Sequence, residues 1–186
     1  MCEIFGAFGW AEDTEFMKYL ADHCLVRGIN YFVPHAFSPK EEDPDCPPHF
    51  YNGGKNIQYP KFKSLMEYMG RCSHVLSDSV HKADVAVFYN AEGEWTSGKN
   101  RLFYDLCRKL TQNLIDFDII PYDALSTAKV ENGRLCVNNE DYGALIISES
   151  EIMPYDRLSL FDSFAKNGLP IIFENSLPKK SAENID

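Results

Sequence analysis

The chain has 186 residues, which is enough for one ordinary domain or for a domain with part of another. Hydrophobic residues make up 45% of it and aromatic residues 13%, so a packed core is expected and global disorder is excluded. The formal net charge of -10 excludes a nucleic-acid or anionic membrane surface as a partner, because either would repel the chain. The sequence also contains no apolar run of the roughly 18 residues that a membrane-spanning helix needs.

The first elements predict a parallel α/β unit. Residues 1–10 form an apolar strand that carries Glu3, residues 12–27 an amphipathic helix, and residues 29–33 a second apolar strand that leads to His35. The predicted buried face of the helix has spacings of three and four and consists of Phe16, Leu20, His23, Cys24 and Arg27. In such a unit the strand ends on one side carry the chemistry.

A long loop and a second helix follow. The loop, residues 38–60, contains five prolines and the run DCPPHFY, which is typical of an ordered functional loop. The helix spans residues 62–76, and the polar stretch 77–82 marks the expected domain boundary. We therefore expect a first domain over residues 1–80.

The second part predicts a doubly wound parallel sheet over residues 83–178, followed by a flexible tail at 179–186. Its buried strands are 84–89, 117–120, 144–147 and 170–173, and its helices are 100–114 and 157–167. An Asn132-Gly133 turn indicates a hairpin whose return strand is 134–137. This pattern is flavodoxin-like.

Three residues near the predicted strand ends suit sugar chemistry. A carboxylate such as Glu3 can attack an anomeric carbon, while aromatic rings such as Trp10 bind the faces of sugar rings. His35 follows a proline at the end of a strand and can donate a hydrogen bond to a sugar hydroxyl. The alternatives are a frayed N-terminal Glu3, a core Trp10 and a structural His35. A net negative chain is also compatible with a neutral carbohydrate ligand.

The loop supplies further candidates. Its two adjacent prolines are expected to stiffen it so that Asp45, His49 and Tyr51 face a ligand, and the alternative is a loop that only covers the core. Asp45, Cys46 and His49 are possible zinc ligands, but zinc usually takes about four such ligands and no second cluster exists in the sequence. We therefore expect no metal. The six scattered cysteines are expected to be free thiols.

The second part offers no catalytic group. Glu92 and Glu94 lie between a predicted strand and helix, where they would repel a phosphate, and no glycine-rich nucleotide motif is present. We therefore expect no flavin, nucleotide or other cofactor. Amidotransferases share this sheet but need a cysteine nucleophile after a strand, and the turn after Ile147 reads SESE. This domain is predicted to be catalytically silent.

The order of these parts resembles the C-terminal portion of barrel glycoside hydrolases, in particular the family 42 β-galactosidases. In that family a (β/α) barrel is followed by an amidotransferase-like trimerisation domain. The resemblance rests on the strand with Glu3, the strand INYFVPHAF, the loop DCPPHFY and the sheet without its cysteine. It implies that Glu3 is the nucleophile, that Trp10 and His35 line the sugar subsite, and that the loop through His49 caps it. The fold class is then a partial barrel followed by a flavodoxin-like sheet.

The same resemblance places the acid/base carboxylate on a barrel strand that this chain lacks. The chain is therefore expected to be a fragment or truncated relative that is inactive alone, with the missing barrel portion or further copies of itself as partners. The main alternative is a non-catalytic oligomerisation or ligand-binding module, and a third is a small flavodoxin-like enzyme. The N-terminus lacks the pattern of a signal peptide, so a cytoplasmic location is expected if the chain is complete.

Overall fold

The computed structural model describes residues 1–97 and 101–183 and shows a mixed α/β protein with parallel sheets. The chain divides into two compact units, unit 1 over Met1–His81 and unit 2 over Lys82–Asp186. None of the described helices combines the length and apolar character needed to cross a membrane.

Unit 1 is built around one pair of parallel strands. Its elements in chain order are β1 (Cys2–Ile4), α1 (Thr14–Leu25), β2 (Phe32–Pro34), a 3-10 turn (Asn52–Gly54) and α2 (Tyr59–Ser77). Glu3 in β1 lies opposite Val33 in β2. Parallel strands need a long crossover, and α1 provides it. Both strands therefore end on the same side, next to the segment that begins at His35.

Local chemistry sets the ends of α1. The side chain of Asp13 accepts a hydrogen bond from the backbone N–H of Phe16 at 2.8 Å, and Gly28 beyond the last turn has a φ of 81°. The helix buries Met17, Ala21 and Leu25. The face predicted from the sequence is therefore wrong, because Phe16 is 40% exposed and the buried stripe is displaced by one residue.

The core of unit 1 joins the strands to both helices. It consists of Ile4, Phe5, Met17, Ala21, Phe50, Leu65 and Met69. Phe50, which lies in the long loop, stacks on Phe62 of α2 with ring centroids 4.1 Å apart. The loop is thus fixed to the core by an aromatic side chain, and α2 begins at Tyr59, inside the range predicted as loop.

Backbone hydrogen bonds also hold the loop against the segment after β2. The N–H groups of Phe50, Tyr51 and Asn52 donate to the carbonyls of residues 36, 37 and 38 at 2.8, 3.1 and 3.2 Å. In addition, the N–H of Ala36 donates to the carbonyl of Pro48 at 3.2 Å. These bonds bring residues 45–49 back to the end of β2.

Unit 2 contains a four-stranded parallel sheet. Its described elements in chain order are β3 (Val85–Tyr89), α3 (Ala91–Ser97), α4 (Arg101–Gln112), β4 (Phe117–Pro121), α5 (Tyr122–Ser126), β5 (Lys129–Glu131), β6 (Arg134–Val137), β7 (Glu140–Tyr142), β8 (Ala144–Ile147), β9 (Ile152–Met153), α6 (Tyr155–Lys166), β10 (Ile171–Phe173) and β11 (Lys180–Ser181). The order in the sheet is β10-β8-β3-β4. Apolar side chains are buried in two clusters, one of which contains Phe88 and Ile147 and the other Val87 and Ile146. Neighbouring residues of one strand thus alternate between the two clusters.

The smaller sheets of unit 2 test further predictions. β5 and β6 pair antiparallel across Asn132 and Gly133, both with positive φ, which confirms the predicted hairpin. Glu92 and Glu94 lie in α3 rather than in a loop, because the side chain of Asn90 accepts a hydrogen bond from the N–H of Gly93 and caps this helix. β11 pairs with β9 inside the range expected to be a tail. The predicted helix start at residue 100 lies outside the described residues.

Candidate active site

Glu3 lies at the centre of the candidate site. Its carboxylate Oε1 lies 3.4 Å from the position that a Cβ on Gly6 would take, and Cγ of His35 lies at the same distance from that position. Glu3 and the His35 ring therefore flank Gly6. The sequence predicts that Glu3 and His35 lie together on the side of the unit where the strands end, and in the structure the two side chains are neighbours there.

The turn after β1 is backbone-strained. Phe5 and Ala7 have φ values of 78° and 64°, in the left-handed region that is unfavourable for residues with a Cβ. The Phe5 side chain is buried and packs edge-to-face with Phe50, with ring centroids 6.1 Å apart. This packing holds the left-handed backbone conformation of Phe5. Strain of this kind costs about 1 to 3 kcal/mol per residue and is concentrated at ligand sites.

His35 is held by Asp45. Its Nε2 lies 2.9 Å from Oδ2 of Asp45, and its backbone N–H donates to the carbonyl of Ile4 at 2.8 Å. Asp45 is fixed in turn, since its Oδ1 accepts a hydrogen bond from the N–H of Cys46 at 2.8 Å. The hydrogen bond with His35, followed by that from Cys46, holds the pKa of Asp45 below its usual range. His35 is thus oriented by a carboxylate that stays ionised at neutral pH.

His49 and Trp10 form a second pair. His49 is only 2% exposed, and its ring lies nearly perpendicular to that of Trp10, with the ring centroids 5.5 Å apart. The rings of His35 and His49 are 6.5 Å apart. Trp10 is 52% exposed, so it is available to a ligand, whereas His49 supports it from below. Nε2 of His49 is buried without a hydrogen-bond partner among the described residues.

Tyr51 belongs to a separate aromatic cluster. Its ring stacks on that of Phe37, with ring centroids 5.3 Å apart and an interplanar angle of 8°. The ring of Tyr59 packs against it edge-to-face, with ring centroids 5.1 Å apart. The structure therefore brings together Glu3, His35, Asp45, Trp10 and His49. It gives Tyr51 contacts with other aromatic residues instead.

A cavity of about 340 Å³ adjoins Glu3. Glu3 and Gly6 contribute to its wall, and the remaining lining is largely apolar and includes Phe8, Leu20 and Cys46. Phe8 is 52% exposed, so its ring is accessible to a ligand, as is that of Trp10 two residues later in the chain. A carboxylate beside apolar surface suits the binding of a sugar ring, which has both polar edges and apolar faces.

Sequence analysis missed Glu12. This side chain is 4% exposed, and neither carboxylate oxygen has a hydrogen-bond partner among the described residues. Burial, with a smaller contribution from the neighbouring charge of Asp13, raises the pKa of Glu12 to about 7. Its place just before a helix cap gives no sequence signal of burial, because acidic residues at that position are usually solvated.

Comparisons with known proteins identify relatives over nearly the whole chain. Residues 2–184 match the sequence profile of glycoside hydrolase family 106, described as alpha-L-rhamnosidase. A putative beta-glucuronidase from Formosa agariphila is 29% identical over 182 residues, which cover 95% of this chain and 15% of that protein. The solved structure of a rhamnosidase from Novosphingobium sp. PP1Y matches 95% of this chain and 17% of its own, with a TM-score of 0.64 and 18% identity.

A β-galactosidase from Bifidobacterium adolescentis matches half of this chain and 40% of its own at 17% identity, and its TM-score of 0.37 is too low to support an argument. The chain thus spans about a sixth of the length of the two relatives that it matches almost throughout.

Proposed function

The chain belongs to glycoside hydrolase family 106, the alpha-L-rhamnosidase family, and from this premise we propose that unit 1 carries part of a glycosidase active site. The expectation of a glycoside hydrolase is confirmed, although the matched family is 106 whereas the sequence resemblance pointed to family 42. The observation that carries the proposal is the group formed by Glu3 in β1, His35 directly after β2, and Asp45 of the loop that folds back to His35.

In this proposal Glu3 is the catalytic carboxylate and acts on the anomeric carbon or on the water that attacks it. His35, whose Nε2 is bonded to Asp45, forms the wall of the subsite next to Glu3. Trp10 offers an exposed ring for stacking against the sugar, and His49 supports that ring from its buried side. The substrate class is α-L-rhamnosides, following the description of the family.

Hydrolysis needs a second carboxylate, and we propose that it belongs to a part of the barrel that longer relatives possess. Glu12 does not replace it, because both of its oxygens are buried away from solvent. The chain alone is then expected to bind a sugar without turning it over. Loss of leaving-group protonation alone lowers the rate by about 10²-fold or more.

A finer fold assignment for the two units is part of the same proposal. We propose that unit 1 corresponds to the last βα units of a barrel, since two parallel strands joined by a helix are its repeating element. Counted along the chain, the sheet order of unit 2 is 2-1-3-4, which agrees with a flavodoxin-like fold. The trimerisation role of such a domain in family 42 remains a prediction for unit 2.

The test is a pair of measurements on the whole chain. Saturation-transfer NMR with L-rhamnose is expected to show contact with the protein, while 4-nitrophenyl α-L-rhamnopyranoside is expected to remain unhydrolysed. Trp10→Ala should abolish the transfer, and Trp95→Ala, which removes an exposed tryptophan of unit 2, should leave it unchanged. Equal transfer in both variants would show that Trp10 does not bind the sugar.

A second candidate function is a non-catalytic oligomerisation module. It is favoured by unit 2, where β8 leads into Ser148 and so offers no cysteine nucleophile. Light scattering over a concentration series should then give a mass above that of one chain. A strictly monomeric chain that binds L-rhamnose would support the glycosidase proposal and contradict the module.

A further inference from the structure

The loop brings three different metal-binding side chains to one point in unit 1. His35, Asp45 and Cys46 each present one ligand atom, and these atoms all lie within 4.8 Å of one another. We propose that they form a binding site for a zinc-type divalent cation. The sequence predicts no metal, because Asp45, Cys46 and His49 are fewer than the roughly four ligands that zinc usually takes. The fold supplies His35 in place of His49, and an ion at this group would complete its coordination with water or another ligand.

The ligand chemistry favours a borderline transition metal. Imidazole nitrogen, carboxylate oxygen and thiolate sulfur are the ligands that zinc takes in proteins, whereas calcium and magnesium prefer oxygen alone. A thiolate at Cys46 and the carboxylate of Asp45 balance the two positive charges of the ion. The proton of the Cys46 thiol is released to solvent when the metal–sulfur bond forms. Three protein ligands leave a fourth position for water or a ligand.

The geometry requires only small adjustments. With metal–ligand bonds of the usual length, ligand atoms in a tetrahedral zinc site lie about 3.3 to 3.6 Å apart. The 2.9 Å between Nε2 of His35 and Oδ2 of Asp45 must therefore widen by a few tenths of an ångström. The thiol must approach by at most about 1.5 Å, and Cys46 is an exposed residue whose side chain can rotate toward the pair.

The surrounding backbone holds two of these ligands in place before any ion arrives. The N–H of Cys46 binds Oδ1 of Asp45, which leaves Oδ2 for the metal. The loop is tied directly after the two loop ligands, by the bond from Gly9 N–H to the carbonyl of Pro47 at 3.1 Å and by the bonds of the following residues to the segment after β2. The side chain of Asp45 is 61% exposed, so an ion enters from solvent without opening the fold.

The site adjoins the cavity that contains Glu3, because Cys46 lies in the wall of that cavity. Occupancy replaces the hydrogen bond between His35 and Asp45 with two metal bonds. The proposal does not rest on sugar binding, and metal binding is measured without any activity assay.

The experiment is a titration of the reduced whole chain with Co²⁺, followed by displacement with Zn²⁺. We expect one Co²⁺ per chain and a sulfur-to-cobalt charge-transfer band in the near ultraviolet. Cys46→Ser should remove the band, and Asp45→Asn should weaken binding by about tenfold or more. Cys136→Ser, which changes a cysteine in β6 of unit 2, is the matched control and should keep the band.

Circular dichroism of each variant confirms that it is folded, and histidine NMR of the Zn²⁺ complex gives a second measurement. The ring signals of His35, assigned with His35→Gln, should shift on addition of one equivalent of Zn²⁺. The proposal is overturned if no charge-transfer band forms, if the band persists in Cys46→Ser, or if the His35 signals do not move.

Discussion

Glu12 predicts a pH dependence of the stability of unit 1. Its pKa of about 7 in the folded protein lies above the ordinary value of 4.5, so the folded state binds the proton more tightly than the unfolded state. The resulting stabilisation is complete below pH 4.5, decreases as the pH rises toward 7 and is lost above it. The full difference corresponds to about 3 kcal/mol in the free energy of unfolding.

Glu12→Gln makes this side chain neutral at every pH. At pH 5 the variant and the wild type should have similar free energies of unfolding, because the wild-type side chain is then mostly protonated. At pH 8 the variant should be more stable than the wild type by about 1 to 3 kcal/mol, because it avoids an unpaired buried charge. Some of the gain is offset, since the glutamine amide also lacks a partner in that site.

The assay is urea unfolding at both pH values, in a Trp95→Phe background so that Trp10 alone reports on unit 1. The decisive quantity is the difference in the free energy of unfolding between variant and wild type, and how that difference changes with pH. The contributions of other titrating groups cancel from it. Glu15→Gln is the control, since Glu15 lies exposed in the first turn of α1. Glu12 is not a buried titrating group if the stability difference between Glu12→Gln and wild type changes with pH no more than the stability difference between Glu15→Gln and wild type.

Four further predictions come from the packing and the site. Gly93→Ala should destabilise unit 2 by about 1 to 3 kcal/mol, because the new Cβ would overlap the side-chain amide nitrogen of Asn90. Gly70→Ala should instead stabilise unit 1 by up to about 1 kcal/mol, because nothing lies near its new Cβ in the helix, and thermal unfolding compares the two. The segment 82–186 expressed alone should be soluble with a sharp thermal transition, whereas an insoluble product would contradict an independent unit. Aryl rhamnosides should not be hydrolysed by the chain, and turnover that disappears in Glu3→Gln would show that the chain already contains a second carboxylate.

Some elements could be predicted from sequence because a single physical pattern determined them. The apolar run 144–147 became β8, since a strand buried on both faces needs no alternation. The Asn132-Gly133 pair specified its hairpin, because both positions take positive φ. These signals are local, and they do not depend on what packs against the segment.

The buried face of α1 could not be predicted in the same way. Phe16, Leu20 and Cys24 satisfy a helical spacing as well as Met17, Ala21 and Leu25 do, and only the neighbouring core decides between them. The strip that contains Phe16 was predicted to be buried but is partly solvent-exposed. Hydrophobic periodicity thus identified the helix but not its orientation.

The metal-ligand group was missed for a related reason. Sequence proximity joined Asp45 and Cys46 to His49, but the loop turns the His49 ring inward beneath Trp10. His35, ten residues before Asp45, takes the neighbouring position because β2 ends there. Which histidine meets the carboxylate depends on how the loop folds back, and the sequence alone contains no measure of that.

The backbone bonds between the loop and the segment after β2 close the candidate site within unit 1. Glu3, His35, Asp45 and Trp10 all lie in that unit, although Trp10 contacts His49 across a long stretch of chain. The contact between His35 and Asp45 closes a loop of only ten residues, which costs little entropy. The group can therefore be transferred between relatives as one continuous piece, and its chemistry can diverge without changes in unit 2.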